Sequence, residues 1–308
     1  MKKWNYIFDV PDGKKVRMIV DTDCKNEADD QFALAHHLMT PKFIVTGIIG
    51  AHFNKNPQEW GDGHTAEASV KEVHKVLQLM ELDGEYEVQM GSEYPLKDEN
   101  TPNPSDGADM IIREAMREDP HPLFIACQGA LTDLAIAILR EPKICERMTC
   151  IWIGGGMYPE GGFEFNLLQD IPAANIVMKS AMPVWQIPIM TYKQMAVSLA
   201  ELQAYVYPCG ELGKYLVEQM VAFNDKCAKV PQWPHGEIWG LGDSPTVGVL
   251  LEEAEKTDIF EEHEAPVIDE AMHYSYTGNG KKIRVYTDVN PRLILGDFFA
   301  KMKINFGH

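Results

Sequence analysis

Short apolar runs typical of β-strands alternate with longer runs of helical spacing through the first half of the chain. The strand-like runs are VRMIV at 16–20, FIVTGIIGA at 43–51, YEVQMG at 86–91, LFIAC at 123–127 and TCIWIGGG at 149–156. The runs with helical spacing are DDQFALAHHLM at 29–39, HTAEASVKEVHKVLQLM at 64–80, SDGADMIIREAMRED at 105–119 and LTDLAIAILRE at 131–141. This alternation predicts an α/β fold with a mostly parallel central sheet and helices on both faces. No linker interrupts it, so we expect one domain over residues 1–308.

Acidic residues cluster where the first predicted strand gives way to the first predicted helix. The segment DTDCKNEADD at 21–30 contains five of them. Like charges so close together repel unless a cation lies between them or some of them face water. One aspartate could simply cap the helix, but several carboxylates at the carboxyl end of a strand favour a ligand site. Their hard oxygen atoms favour Ca²⁺ or Mg²⁺ over zinc.

Charge and cysteine content exclude several classes of protein. The formal net charge is −18, so the basic surface of a nucleic-acid-binding protein is absent and an anionic membrane would repel the chain. No apolar run reaches the ~20 residues of a membrane span, and the first residues lack the apolar core of a secretory signal. The six cysteines have no CxxC spacing, so we expect reduced thiols, a cytoplasmic protein and no structural zinc.

Four motifs, in order, resemble those of the nucleoside hydrolases, the inosine–uridine-preferring group of N-ribohydrolases. The run DTDCKNEADDQFAL resembles the family's DTDPGxDDxxAL, and ACQGALTDLAIAIL resembles its GPLTNxAxAL segment. The run IWIGGGMYPEGGFEFNLLQDIPAANIVM is similar to its MGG…EFNxxxDPEAA segment, and GLGDSPTVGVLL to its late H-D-x-x-A segment. The resemblance implies a single-domain, mostly parallel α/β fold with Ca²⁺ bound at the carboxyl ends of the strands.

A set of metal ligands follows from the resemblance. Asp23, Asp30 and Asp243 would bind Ca²⁺ with side-chain oxygens, and Thr132 would offer its backbone carbonyl. Taken alone, Asp243 could instead cap the helix that Pro245 is suited to begin. The resemblance thus implies that one bound ion is shared by acidic residues from distant parts of the chain.

The resemblance also implies a reaction, hydrolysis of the N-glycosidic bond of a ribonucleoside to free base and ribose. Asp23 would be the catalytic base for the attacking water. The residues implied in substrate binding are Asp29, Asn54, Glu164, Asn166 and Asp243. Glu164 would lie toward the 5′ end of the sugar, and His52 competes with Asn54 for its place. The preferred base is left open: the substrate could be a purine or modified purine nucleoside, and a modified or bulky purine is as plausible as inosine.

Three departures from the family pattern bear on function. The loop at 24–28 is two residues longer than usual, and the loop between GGG and EFN lacks the usual Gly-Asn pair. Gly242 replaces the histidine that can protonate the leaving base. We therefore expect help from Trp239, which could stack on the base, and from His235 or Glu237, which could supply a proton. The alternatives are ordinary packing for Trp239 and a plain surface position for His235.

Two other functions are weighed against hydrolysis. A ribosyl-ligand binding protein could keep the Ca²⁺ site and lose turnover, and Gly242 is the feature that favours it. A Mg²⁺-dependent phosphatase also places Asp-x-Asp after a strand, but it leaves the EFN motif unexplained. For the hydrolase we expect a small-molecule nucleoside as substrate, a role in nucleoside salvage and purine metabolism, no nucleic acid or membrane partner, and a homodimer or homotetramer.

Overall fold

The computed structural model describes residues 4–54, 63–230, 233–252 and 258–307. Its strands are β1 Val16–Thr22, β2 Phe43–Gly50, β3 Val88–Met90, β4 Leu123–Cys127, β5 Met148–Ile153, β6 Val184–Ile187, β7 Ala196–Ser198, β8 Ile238–Gly240, β9 Phe260–Glu264, β10 Val267–Ile268, β11 Tyr274–Ser275 and β12 Lys282–Tyr286. Its helices are α1 Asp30–Met39, α2 Thr65–Leu79, α3 Asp106–Met116, α4 Thr132–Arg140, α5 Phe165–Gln169, α6 Ile171–Lys179, α7 Ile189–Tyr192, α8 Leu199–Tyr205, α9 Gly210–Cys227, α10 Pro245–Leu251 and α11 Pro291–Phe306.

One large sheet organises the molecule. It contains eight strands in the order β3–β2–β1–β4–β5–β6–β12–β9. Every neighbouring pair is parallel except the edge pair, in which β9 runs antiparallel to β12. The predicted α/β class and mostly parallel sheet are therefore confirmed.

The strand order reverses at the middle of the sheet. The chain leaves β1 to build β2 and β3 on one side, and then crosses to build β4, β5 and β6 on the other. The loops that follow β1 and β4 therefore depart in opposite directions and leave a crevice at the carboxyl ends of these two strands. Asp23 comes directly after β1, and Thr132 opens the helix after β4. The fold thus places the first and second sequence motifs side by side.

Side chains of β1 alternate between two buried layers. Met18 and Val20 belong to one hydrophobic layer and Ile19 to the other. Because both faces of β1 are covered, its sequence is continuously apolar and does not alternate between apolar and polar residues. Asp21 follows the same alternation and faces the layer of Ile19, where the charge of Asp133 is close enough to raise its pKa further after burial has done so. Asp21 therefore lies close to Asp133, and its charge is also near enough to raise the pKa of Asp23.

The predicted elements of the first half are observed with small changes at their ends. The predicted strand LFIAC coincides with β4, and the helices predicted at 29–39 and 64–80 are observed as α1 and α2. The strand predicted at 86–91 is shorter, because only Val88–Met90 pairs with β2. Residues 55–62, which follow β2, and residues 231–232, which precede β8, lie outside the described residues. None of the described helices has the length and apolar character needed to cross a bilayer.

Candidate active site

Four buried aspartates meet where β1 ends and where α1 and α10 begin. Asp29, Asp30 and Asp243 each offer one carboxylate oxygen, and these three atoms lie within 4.8 Å of one another. Asp23 follows β1 and contributes a hydrogen bond to the side chain of Asp30. The Thr22 hydroxyl donates to Oδ1 of Asp30 at 2.5 Å. The fold therefore brings together two acidic segments that are more than 200 residues apart in the chain.

Helix capping does not account for Asp29 or Asp243. Asp29 precedes α1, but its side chain makes no capping hydrogen bond to that helix. Its Oδ2 atom instead accepts the backbone N–H of Asp243 at 3.3 Å. At α10 the position before the helix is occupied by Ser244, again without a side-chain cap. Both carboxylates therefore remain directed at the cluster.

The acidic cluster fits a hard divalent cation. Burial raises the pKa of Asp23, and the charges of Asp30 and Asp29 raise it further. Burial likewise raises the pKa of Asp243, with Asp29 and Asp30 adding to the effect. Among the described residues, none donates a hydrogen bond to Oδ2 of Asp23. A cation would relieve this repulsion, and a set of carboxylate oxygens is what Ca²⁺ or Mg²⁺ prefers.

The long loop after β1 is held from outside and adds an acid to the cluster. Gln31 donates from Nε2 to the carbonyl of Cys24 at 2.8 Å, and Gln219 of α9 donates to the carbonyl of Ala28 at 2.7 Å. Glu27, between these two anchors, is half-buried. Burial raises its pKa, and the charge of Asp29 raises it further. The two extra residues thus bring a fifth carboxyl group to the site.

The turn after β4 packs directly against Asp23. A Cβ on Gly129 would lie 3.0 Å from Cγ of Asp23, so glycine permits this approach. Thr132 donates its hydroxyl to Oδ2 of Asp170 at 2.8 Å, and Nε2 of the buried His52 lies 2.8 Å from the same hydroxyl. These contacts fix the start of α4 beside the cluster. The predicted role of the Thr132 carbonyl as a metal ligand stays a prediction.

Both polar atoms of the Asn54 side-chain amide form hydrogen bonds within the protein. Its Nδ2 donates to the backbone carbonyl of Glu93, and its Oδ1 accepts the hydroxyl of Thr65 at 2.9 Å. These bonds hold the loop after β2 against the start of α2. The predicted contact of Asn54 with ribose stays a prediction, and its observed bonds favour a structural role.

Asn166 joins two strand ends through its side-chain amide. Its Nδ2 donates to the carbonyls of Gln128 at 3.0 Å and Ile153 at 2.9 Å, just beyond β4 and at the end of β5. None of the described residues donates to its Oδ1 atom. These two bonds fix the orientation of the amide, and the predicted contact of Asn166 with a ribose hydroxyl stays a prediction.

Glu164 lies in a nest of donors at the start of α5. Its side chain accepts backbone N–H groups from Gly155, Asn166 and Leu167, at 2.8 to 3.1 Å. The hydroxyl of Tyr192 in α7 donates to Oε1 at 2.9 Å. Burial raises the pKa of Glu164, and these hydrogen bonds oppose the rise. The carboxylate is thus held rigidly, with 1% of Glu164 exposed.

Tyr192 occupies the space beside Gly242 and is a residue that sequence reasoning missed. A Cβ on Gly242 would lie 3.1 Å from Cδ2 of Tyr192 and 3.4 Å from Oδ2 of Asp29. Burial and the charge of Glu164 raise the pKa of the phenol, so its hydroxyl remains protonated and donates. Tyr192 belongs to no recognisable motif, and the only signal in the sequence was the missing side chain at position 242.

The three residues predicted to help the leaving base lie in different places, His235 and Glu237 in the loop before β8 and Trp239 within β8. His235 and Glu237 are exposed. Trp239 is 1% exposed and belongs to the core, with its ring stacked 5.7 Å from Trp233 and edge-on to Phe223. Packing, the alternative for Trp239, is thus what the structure shows, and stacking on a base would require this cluster to open. Proton donation by His235 or Glu237 stays a prediction.

Neutralising one acid of the cluster should stabilise the folded protein without metal and destabilise it when Ca²⁺ is bound. In metal-free protein at pH 7, we expect Asp243→Asn to raise the free energy of unfolding by about 1.4 kcal/mol or more, the equivalent of one pKa unit, because it relieves the repulsion. With saturating Ca²⁺, the same variant should unfold at a lower temperature than the wild type, because it loses a ligand. Thermal unfolding in chelator and in Ca²⁺ measures both.

The stability that Asp243→Asn gains in chelator should depend on pH, because the pKa values of Asp23 and Asp243 are raised in the folded protein. The folded, metal-free protein binds more protons than the unfolded chain, so its stability falls as pH rises above the unfolded aspartate pKa of about 4. The advantage of Asp243→Asn in chelator should therefore be absent below about pH 4 and grow with increasing pH. A variant that is less stable than the wild type in chelator at pH 7 would show that the acids do not repel one another.

The chain is similar in sequence to proteins of known activity. The family model for inosine-uridine preferring nucleoside hydrolases matches residues 18–295. The inosine-uridine preferring nucleoside hydrolase of Crithidia fasciculata is 30% identical over 123 residues, 38% of this chain and 38% of that protein. The pyrimidine-specific ribonucleoside hydrolase RihA of Salmonella paratyphi B is 24% identical over 299 residues, covering 87% of this chain and 93% of that protein.

The fold is also shared with solved structures. The purine-preferring ribonucleoside hydrolase from Gardnerella vaginalis has a TM-score of 0.74 with this chain at 18% identity. The similarity covers 93% of this chain and 98% of that one. The likeness therefore extends over almost the whole α/β domain and well beyond the four sequence motifs.

Proposed function

This chain belongs to the inosine-uridine preferring nucleoside hydrolase family, and on that premise we propose that it hydrolyses the N-glycosidic bond of a ribonucleoside to free base and ribose. The observation that supports this most strongly is the buried acidic cluster at the switch point of the sheet. It joins Asp23, Asp29 and Asp30 of the first motif to Asp243 of the last. The acidic cluster suits a reaction in which the ribosyl group becomes positively charged in the transition state.

The metal we propose is Ca²⁺, bound by Asp23, Asp30, Asp243 and the carbonyl of Thr132. The close approach of Asp29 to the same oxygen atoms makes it a further candidate ligand or a partner for a sugar hydroxyl. When bound, such a cation would neutralise the cluster and make the attacking water more acidic. The burial of the acids supports this assignment, because isolated carboxylates are costly to keep ionised away from water.

The side chains divide the remaining tasks by their position. Asp23, with its unpartnered Oδ2 atom, would take a proton from the attacking water. Asp29, Asn166 and Asp243 would hold ribose hydroxyls, and the free Oδ1 of Asn166 supports this role. Glu164 would order the wall of the site toward the 5′ end of the sugar. The anionic side chains would also stabilise the positive charge that develops on the sugar as the base departs.

Leaving-group protonation is assigned to the loop before β8. His235 and Glu237 are exposed there, and Gly242 offers no side chain. We expect His235→Ala or Glu237→Gln to lower kcat/KM on inosine by about 10²-fold, but to change it little on a nitrophenyl riboside, whose leaving group needs no proton. Equal losses on the two substrates would assign this loop to pocket shape alone.

A panel of nucleosides tests the function and the base preference together. We propose a purine or modified purine nucleoside as the substrate. The panel must also contain pyrimidine nucleosides, because the relative from Salmonella is named as pyrimidine-specific. Free base and free ribose, measured in Ca²⁺ with each nucleoside, should both appear for at least one purine nucleoside. Tight binding without release of ribose would instead support the ribosyl-binding protein that Gly242 could favour.

Location and assembly are part of the same proposal. We propose a cytoplasmic enzyme of nucleoside salvage that forms a homodimer or homotetramer. The six cysteines are all buried and free, which supports a reducing compartment. Light scattering of the purified protein would measure the number of subunits.

A further inference from the structure

A buried carboxylate of α2, that of Glu72, contacts the long loop that follows β1. Its Oε1 atom accepts hydrogen bonds from Nε2 of Gln31 at 3.1 Å and from the hydroxyl of Tyr215. Its Oε2 atom lies 3.1 Å from Nζ of Lys25, a residue of that loop. Glu72 is 6% exposed, so these contacts are largely shielded from water. One carboxylate thus joins α1, α9 and the loop at 24–28 to α2.

The main chain of the loop is held by the same surroundings. The side-chain amide of Gln31 that donates to Glu72 also donates to the carbonyl of Cys24, at 2.8 Å. At the other end of the loop, Gln219 of α9 donates to the carbonyl of Ala28 at 2.7 Å. Ordering loop residues costs conformational entropy, and bonds that order the loop in advance reduce what a ligand must supply on binding.

This loop connects acids of the candidate metal site. Asp23 comes directly before it, and Asp29 and Asp30 come directly after it. One carboxylate oxygen from each of Asp29, Asp30 and Asp243 lies within 4.8 Å of the others, although like charges so close repel. The metal-free loop must therefore hold these groups together against their repulsion. Its conformation decides whether a cation meets oxygen atoms that are already in place.

The contacts of Glu72 exceed those of an ordinary surface ion pair. A pair with the partly exposed Lys25 alone would be weak evidence for a role. Here donors from α1 and α9 meet on a single oxygen of Glu72. Helix α2 also holds Tyr215 through Lys75, whose Nζ lies 5.7 Å from the centre of the tyrosine ring. Glu72 is therefore the point at which three helices and the loop are joined.

We propose that Glu72 is a positioning residue of the metal site. It holds the loop at 24–28 in the conformation that brings Asp23, Asp29 and Asp30 together, and it thereby sets the affinity for the divalent cation. Glu72 acts through the loop and binds neither the ion nor the substrate. The inference rests on the proposed function for the identity of the ion, Ca²⁺.

Titration calorimetry of the metal-free protein with Ca²⁺ tests the proposal without any substrate. Glu72→Ala should weaken Ca²⁺ binding by about tenfold or more, the size of effect seen when groups that support metal ligands are removed. Glu72→Gln removes the same charge but keeps an oxygen acceptor for Gln31 and Tyr215, so its affinity should stay within about threefold of the wild type. Tyr215→Phe removes one donor to Glu72 and should weaken binding by about threefold.

Two further measurements follow the loop and the reaction. The N–H groups of Lys25 and Asn26 donate to the carbonyl of Asp23 at 2.6 and 2.7 Å. In chelator, these amides should exchange with solvent faster in Glu72→Ala than in the wild type, because the loop opens more often. At saturating Ca²⁺, kcat of the variant should stay within about twofold of the wild type, because a filled site restores the positions of the acids.

A second buried glutamate provides the control. Glu114 of α3 is 7% exposed, and its Oε2 atom lies 3.2 Å from a terminal nitrogen of Arg117. Its carbonyl accepts a hydrogen bond from Arg17, near the start of β1 and so at the opposite end of that strand from the acidic cluster. Glu114→Ala should lower the unfolding temperature and leave the Ca²⁺ affinity unchanged. An unchanged affinity in the Glu72 and Tyr215 variants, or an equal loss in Glu114→Ala, would overturn the proposal.

Binding and hydrolysis are measured separately, so the two proposals can fail independently. If no nucleoside is hydrolysed but the Ca²⁺ affinity falls in Glu72→Ala and not in Glu114→Ala, the proposed function fails and the role of Glu72 stands. If free base and ribose are released and the affinity does not depend on Glu72, the role of Glu72 is wrong while the function stands. A wild type that binds no Ca²⁺ would overturn both the assigned metal and the role of Glu72.

Discussion

Replacing Asp23 by asparagine is expected to lower kcat by about 10²–10⁴-fold, the loss typical of removing acid–base assistance. The variant keeps the shape of the side chain, but an amide cannot take a proton from the attacking water. None of the described residues donates a hydrogen bond to Oδ2 of Asp23, and Gly129 packs closely against the carboxyl group because it has no Cβ. Turnover measured at saturating Ca²⁺ separates the loss of the base from a weaker metal site.

A carboxylate outside the site provides the control for Asp23. Oδ2 of Asp297, in α11, lies 2.7 Å from Nε2 of His36 and 2.5 Å from Nζ of Lys301. Asp297→Asn removes one negative charge from the chain, as Asp23→Asn does. It should reduce stability and leave kcat unchanged. Near-normal turnover in Asp23→Asn would show that another group is the base.

Removing the divalent cation is expected to have the second largest effect. A chelator should reduce turnover to below about 1% of its initial value. Without the positive ion, the clustered carboxylates are no longer stabilised in their ionised form, and the attacking water is no longer made more acidic. Ca²⁺ at 100 times its dissociation constant should also stabilise the folded state by about 2.7 kcal/mol. Activity and unfolding temperature are measured in chelator and then after Ca²⁺ is restored.

The choice of metal is tested in the same titration. Oxygen ligands alone admit both Ca²⁺ and Mg²⁺, but Mg²⁺ demands a stricter octahedral geometry. We expect Ca²⁺ to restore turnover at lower concentration than Mg²⁺, and Zn²⁺ to be ineffective. Full turnover in chelator after exhaustive dialysis would rule out the metal site as part of the reaction.

The fold of the central sheet could be predicted where strands are buried on both faces. The segment LFIAC coincides with β4 because a parallel strand inside the sheet has no polar face, so its sequence is apolar without interruption. β9, with the sequence FEEHE, was not predicted. It is an edge strand, and it is extended because it pairs with β12 rather than because its own residues favour a strand.

The acids of the site could be predicted because they are carried by short motifs with fixed positions. Their exact grouping could not, since the approach of Asp29 to Asp243 depends on how the long loop 24–28 is anchored by Gln219 of α9. Tyr192 was missed for the same reason. Its place beside Gly242 is created by the packing of α7, and no local pattern reports that contact.

Aromatic residues near the site show the limit of reading function from residue type. A tryptophan in a glycine-rich loop suits both base stacking and packing, and the sequence alone left both open. The structure packs Trp239 in the core against both Trp233 and Phe223, which also contact each other. Burial is decided by the neighbours that the fold supplies, here residues of α9 and of the loop before β8.

Hydrolysis in water enriched in ¹⁸O tests the central claim most directly. The Ca²⁺-loaded protein is incubated with a nucleoside from the panel, and the products are quenched quickly and analysed by mass spectrometry. If water attacks the anomeric carbon, free ribose carries one ¹⁸O atom, the free base carries none, and the two appear in equal amounts. Label in the base, or loss of the nucleoside without free ribose, would contradict N-glycosidic hydrolysis by this site.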